Sequence, residues 1–293
     1  FVRDLATRWD AVALVIVLGL LVVLGHASRD LLEPLAKLKA TPISLDPSQL
    51  PYYAARSTLR MFAALGVSLL FTFTYATWAA KSPRVGKLLV PILDILQSVP
   101  ILSFISITVV FFMSLAPGRV VGAEFAAIFA VFTSQAWNMA FSFYQSLRTV
   151  PQELRDAARS FHLSPWMTFW QVEVPFALPG LIWNTMMSMS GGWFFVVASE
   201  ALTVGHTTLA LPGIGTYIAA AIEQRNLTAI GWAIATMLVV ILLYDQLLFR
   251  PLVAWADRLK FEQDASGRAP TSWALTMMQH SRLLSLITDS FFA

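Results

Sequence analysis

The sequence predicts an all-α, polytopic membrane protein with about six transmembrane helices. Of its 293 residues 57% are hydrophobic and only 13% are charged, against roughly a quarter charged in ordinary soluble domains. The apolar residues also come in blocks of about 20, which at ~1.5 Å per helical residue match a hydrocarbon core ~30 Å thick.

The composition excludes several kinds of chemistry. Cysteine is absent, so disulfides, thiolate metal sites and cysteine nucleophiles are ruled out. The four histidines are scattered, so no metal site, no cofactor and no catalytic residue is expected in this chain. A formal charge of +3 in such an apolar chain points to topology and anionic lipid rather than to nucleic acid. No G-x-x-x-x-G-K-[ST] occurs, so the chain does not hydrolyse nucleotide by the P-loop route.

Six spans are expected in order. The first, residues 11–24, reads "AVALVIVLGLLVVL" and lacks a small-residue cleavage site, so it is read as a span and not a secretory signal. A proline-bearing polar loop follows, and the second span covers 59–78, ending at the basic turn "AKSPRVGK". The third covers 88–115 and is interrupted by Pro91 and Pro100. The fourth covers 125–144, the fifth 175–202 with Pro179, Gly180, Gly191 and Gly192 inside it, and the sixth 228–249. Three regions follow: residues 1–50 (first helix and external loop), a core at 51–262, and a linker and tail at 263–293. The tail reads either as a cytoplasmic amphipathic helix or as a connector toward a second membrane domain.

Placing both termini inside leaves thirteen Lys and Arg on the inner segments and seven on the outer ones. The positive-inside rule therefore favours N-in and C-in. Five of the seven outer bases, Arg29, Lys37, Lys39, Arg56 and Arg60, fall in the loop after the first span.

Between the fourth and fifth spans lies a polar island, "ELRDAARSFHLSPWMTFWQVEVP" at 153–175. Thr149 and Gln152 have the spacing of a capping box, with Pro151 in the first turn. Leu154, Ala157, Ala158 and Phe161 recur as the apolar stripe of an amphipathic helix, while Glu153, Arg155, Asp156 and Arg159 project elsewhere. Ser164 with Pro165 opens a second short helix that Pro175 is expected to end. The residues alone allow two readings: helices lying on the membrane surface, or a docking element for another protein.

The island resembles the EAA loop of the permease subunits of binding-protein-dependent ABC importers. That motif reads E-A-A, three residues, G, nine residues, I, one residue, L-P. Here Asp156, Ala157 and Ala158 stand at E-A-A, His162 at the glycine, and Val172, Val174 and Pro175 at the final positions. "LDILQSVPIL" and "LPGIGTYI" are most similar to the nitrate/sulfonate/taurine branch. The resemblance implies a MetI-like, type I importer fold whose coupling helix is this island, with Glu153, Asp156, Ala157, Ala158, Arg159, His162, Val172, Val174 and Pro175 as its ATPase-coupling residues. It also implies partners. These are a cytoplasmic ABC ATPase dimer carrying ATP and Mg, a second permease half (homodimer or tandem domain), a periplasmic solute-binding protein and membrane lipid. The chain would sit in the bacterial inner membrane and pass a small oxyanion such as sulfonate, nitrate or bicarbonate.

Polar residues inside spans are candidates for the pathway or gate, because each is costly in lipid. Asp94, Gln97, Asn138, Asn184 and Glu200 are those candidates. Asp94 also reads as a partner for headgroup-level bases, and Gln135, Asn138 and Asn184 as interhelical hydrogen-bond formers. Gly191 and Gly192 suit close packing or ligand approach, and Trp193, Phe194 and Phe195 suit an interface or a pore wall. "LPGIG" at 211–215 is a turn whose free N–H groups could meet an anion. The alternatives to an importer permease are an ion-gradient-driven secondary transporter or channel, which wants paired intramembrane acids, and an intramembrane enzyme, for which no convergent set of residues is apparent.

Overall fold

The computed structural model describes residues 43–99, 101–204 and 207–256. The expected first span and the tail lie outside them. Helix α1 runs from Pro47 to Lys81. Asp46 starts it by accepting the Ser48 N–H at 2.9 Å, and Pro47 occupies the first turn, where a missing N–H costs nothing. The start lies well before residue 59, so Arg56 and Arg60 are inside the helix and not bases of an outer loop. Near its other end α1 contains a π-helical turn, Thr72–Ala76.

The expected third span is two helices, α2 (Pro83–Ser98) and α3 (Ile101–Leu115). Pro91 is accommodated within α2, whereas Val99 is extended with φ −79° and ψ 129°, the conformation a residue before proline favours. At 16 and 15 residues neither helix alone crosses a ~30 Å core. Helix α4 spans Val120–Arg148.

The island folds as α5 (Gln152–Ser160) and α6 (Pro165–Thr168). Two sequence expectations are corrected here. Thr149 closes α4 instead of opening α5: its N–H and hydroxyl both donate to the carbonyls of Gln145 and Ser146. The N-cap of α5 is Pro151, which has no side chain able to cap. Nor does Pro175 end the second helix. A π turn, Phe169–Glu173, carries it directly into α7, Val174–Glu200, the wider turn easing the proline's lost N–H and its ring.

After α7 come two short antiparallel strands, β1 (Ala201–Val204) and β2 (Thr207–Ala210), an addition to the all-helical expectation. Helix α8 is Ile214–Glu223, and α9 runs Leu227–Ala256 with a third π turn at Asp245–Phe249. Among the described residues α1, α4 and α9 are long and apolar enough to cross a membrane. At 27 residues α7 has the length, but Asn184, Thr185, Ser188 and its glycines dilute its apolarity.

The core lies among α1, α4 and α7. Met61, Ala64, Val131, Ala136, Met139, Phe143, Ala177, Met189 and Val196 are buried there. Small side chains let these backbones approach, as expected where lipid supplies no hydrophobic drive between helices. Gly192 is one such point, where an added Cβ would stand 3.0 Å from Gln135 Nε2; Gly191 faces open space. Pairings along the helices set their directions. Phe71 meets Phe132 and Phe73 meets Phe143, so α1 and α4 are parallel. Asn184 bonds Ser142 while Gln135 lies by Met189, so α7 is antiparallel to α4. Trp193 is buried and donates to the Tyr244 hydroxyl at 3.1 Å, fastening α9 to this core. The other side of α9 is apolar and exposed, with Leu238, Val239, Leu242 and Leu243 outward, as a lipid-facing helix requires.

Candidate functional site

The island presents an exposed face held on a fixed base. Helix α5 turns Ala158 inward, with Leu154 and Arg155 half-buried beside it, and leaves Glu153, Asp156, Ala157, Arg159 and His162 exposed. The expected apolar stripe is therefore only half right: Ala157 is exposed and Phe161 is 78% exposed, because the inward face follows 154, 155 and 158. Asp156 and Arg159 pair across one turn at 3.1 Å, an exposed pair that sets local charge more than stability. Glu153 sits in the first turn, where a carboxylate suits the helix dipole.

His162 ends α5 in the left-handed region at φ 53°. Its N–H donates to the Arg159 carbonyl, and the Leu163 N–H donates to the Ala158 carbonyl, the two bonds of a Schellman closure. The backbone that the motif's glycine would favour is kept, with histidine carrying the left-handed conformation. Ser164 then caps α6 by accepting the Met167 N–H at 3.3 Å. Trp166, Met167 and Trp170 join Phe161 as exposed large apolar groups.

Three contacts anchor the base. Arg155 donates to the Leu147 carbonyl at the end of α4, at 2.9 Å. Phe169 and Val174 are buried, with Val172 and Pro175 partly so. Glu173, also buried, pairs with Lys81 at the end of α1.

Among the described residues, the opposite end of the bundle holds four buried charges. Arg60 grips Glu124 through Nε (2.5 Å) and Nη2 (2.7 Å), and reaches Glu200 through Nη1 at 2.6 Å. Arg56 Nη2 meets Glu124 Oε1 at 2.7 Å. Among the described residues each buried cation meets a buried carboxylate, which is the condition for burying charge at all. The "LPGIG" turn closes over them. The Gly215 N–H donates to Glu200 Oε2 at 2.7 Å, and the Ile214 N–H to Ser57 Oγ at 3.0 Å. The anion that this turn meets is thus the chain's own Glu200. A Cβ at Gly213 would strike the Glu200 carboxylate, and one at Gly215 the Val197 carbonyl.

The pathway candidates do not gather at one place. Glu200 has 0% exposure and is a strut of the buried network. Asn184 bridges α7 to Ser142 of α4 at 2.9 Å. Asp94 and Gln97 are exposed on α2 and bonded to each other at 3.0 Å, and Asn138 is exposed on α4. Sequence reasoning missed Arg56, Arg60, Glu124, Lys81 and Glu173. The signal was present: opposite charges lying at the same ends of spans that must pack together.

With the fold and the island described, residues 64–254 match the family of binding-protein-dependent transport system inner membrane components. The chain belongs to this family. Among its relatives is the bicarbonate transport system permease protein CmpB of Synechococcus elongatus, 23% identical over 69% of this chain and 66% of the relative. The taurine transport system permease protein TauC of Escherichia coli is 27% identical over 59% of this chain and 60% of the relative. Glycine betaine permeases match as well. The matches thus span less than two thirds of these relatives' own length. A solved structure of the inward-facing MetNI methionine ABC transporter superposes with a TM-score of 0.54 at 18% identity, covering 74% of this chain and 97% of that one. At that identity the likeness shows the fold. The family match makes the chain a membrane component of a transport system, and the structural likeness adds its fold.

Proposed function

We propose that this permease is the membrane-spanning subunit of an ATP-driven importer, passing a small oxyanion such as bicarbonate, nitrate or a sulfonate to the cytoplasm. The solute would come from an external binding protein. ATP and Mg would act on a separate ATPase dimer, since this chain has no P-loop. The relatives named for bicarbonate and taurine support the substrate class, and the betaines of other relatives also carry a carboxylate.

The observation that carries this reading is the island. It offers an exposed, charged and aromatic face while Arg155 and Glu173 fix its back to α4 and α1. A surface meant for lipid would turn its apolar side down and leave no such clamp. Exposed aromatics centred on a fixed element are what a protein partner uses as anchors. The island lies at the end of the bundle marked by Lys81, Arg84, Lys87 and Arg148, which supports a cytoplasmic position and the N-in, C-in arrangement in the inner membrane.

Asp94 and Gln97 on α2 and Asn138 on the long apolar α4 are polar and exposed. Such groups face a passage more readily than lipid, so they are the side chains offered to a pathway shared with a second permease half. The test is to co-purify the ATPase with the parent chain, Asp156→Lys and Ala157→Glu, and to assay ATP hydrolysis. Both variants are expected to lose the ATPase while retaining the membrane fold. Parental association and activity in both would return the island to a surface loop.

A further inference from the structure

The island is tied by chain continuity to α4 and α7; nothing in that continuity requires a tie to α1. Lys81, the last residue of α1, nevertheless pairs with Glu173, and its ammonium stands 5.4 Å above the Phe169 ring. Beside this pair, the Phe73 ring lies 6.0 Å from that of Trp170. On the island side Phe169, Trp170 and Glu173 fall in the π turn Phe169–Glu173; on the α1 side Phe73 falls in the π turn Thr72–Ala76, and Lys81 ends the helical turn that follows it. A π turn widens the hydrogen-bonded ring and is a place where a helix changes course.

We propose that Lys81 and Glu173 are the positioning pair through which displacement of the island reaches the second span, an inference that rests on the island being the ATPase-docking element. Glu173 is 5% exposed, and a buried carboxylate separated from its counter-charge is strongly disfavoured. Moving the island away from α1 would strand that carboxylate; moving the two together keeps it paired. Helix α1 then carries the displacement along its length, through the Thr72–Ala76 turn. About 21 residues, or ~32 Å at ~1.5 Å per residue, separate Lys81 from Arg60, whose guanidinium holds Glu124 and Glu200 at the other end. The pair thus joins the docking face to the charge network under the "LPGIG" turn.

The chain has no cysteine, so Pro51→Cys places a single thiol at the exposed far end of α1. The experiment measures its maleimide labelling rate in the complex with the ATPase, nucleotide-free and after trapping with ATP and vanadate. In the Pro51→Cys chain the rate is expected to change on trapping. Lys81→Gln and Glu173→Gln should each shrink that change by about fivefold or more, the scale of one strong pairwise coupling, while the ATPase still co-purifies. The exchanged pair, Lys81→Glu with Glu173→Lys, should restore it. A purely structural role would lower stability in the single variants without removing the nucleotide response. An undiminished response in docked single variants, an exchange that does not restore it, or no response in the Pro51→Cys chain with ATPase bound overturns the proposal alone. Failure of the parent chain to bind the ATPase overturns the reading of the island and this inference with it. If the single variants do not accumulate, the exchange decides by the same response.

Discussion

His162 occupies a left-handed position that glycine adopts at no steric cost, so the end of α5 carries strain of about 1 kcal/mol. His162→Gly is expected to raise stability by about 0.5–1 kcal/mol, and His162→Val to lower it by about 1–2 kcal/mol, read as shifts in thermal unfolding in detergent. If the order is reversed, the Schellman closure is not what ends this helix. At the other end, Glu124→Gln removes the buried carboxylate that both Arg56 and Arg60 grip. A loss of about 3–5 kcal/mol is expected, because the bidentate grip of Arg60 on Glu124 is broken in a buried site. A single variant as stable as the parent would mean that the network carries no structural weight.

At the scale of elements, the island and the main spans were legible because they rest on local signals: apolar block length, helix-breaking residues and a fixed motif spacing. Four features were not. Arg56 and Arg60 read as loop bases because charge in an apolar span is normally excluded, and their pairing with Glu124 and Glu200 makes it tolerable. Thr149 fits a capping box by spacing, yet the carbonyls of α4 compete for its hydroxyl. The π turns have no composition of their own, and the β1–β2 hairpin, though its connection is Gly205-His206, is too short for its strands to show a period-2 pattern. The "LPGIG" turn lies between these cases, with its glycines visible and their purpose hidden until Glu200 is in place. Gly215→Ala would press a methyl onto the Val197 carbonyl. It is expected to cost about 1–3 kcal/mol and to make α8 the first element to lose hydrogen-exchange protection; unchanged protection there would contradict the packing described.

For the whole molecule, α1, α4 and α7 form one block, with the Lys81–Glu173 pair and the island at one end and the buried charge network under the "LPGIG" turn at the other. The proposed orientation puts the island's end of this block inside the cell, and single cysteines in intact cells test it. Arg84→Cys should react with a membrane-impermeant reagent only after the cytoplasmic side is opened, and Gln224→Cys should react from outside. Both sites are exposed, so the reverse pattern would invert the topology. The most direct measurement concerns the island itself. Ala157→Cys, the chain's sole thiol, should form a short-range cross-link with the co-expressed ATPase subunit, and nucleotide should change its yield. A thiol that is alkylated equally with and without the ATPase, and never cross-links to it, would contradict the account of this permease as a motor-driven importer subunit.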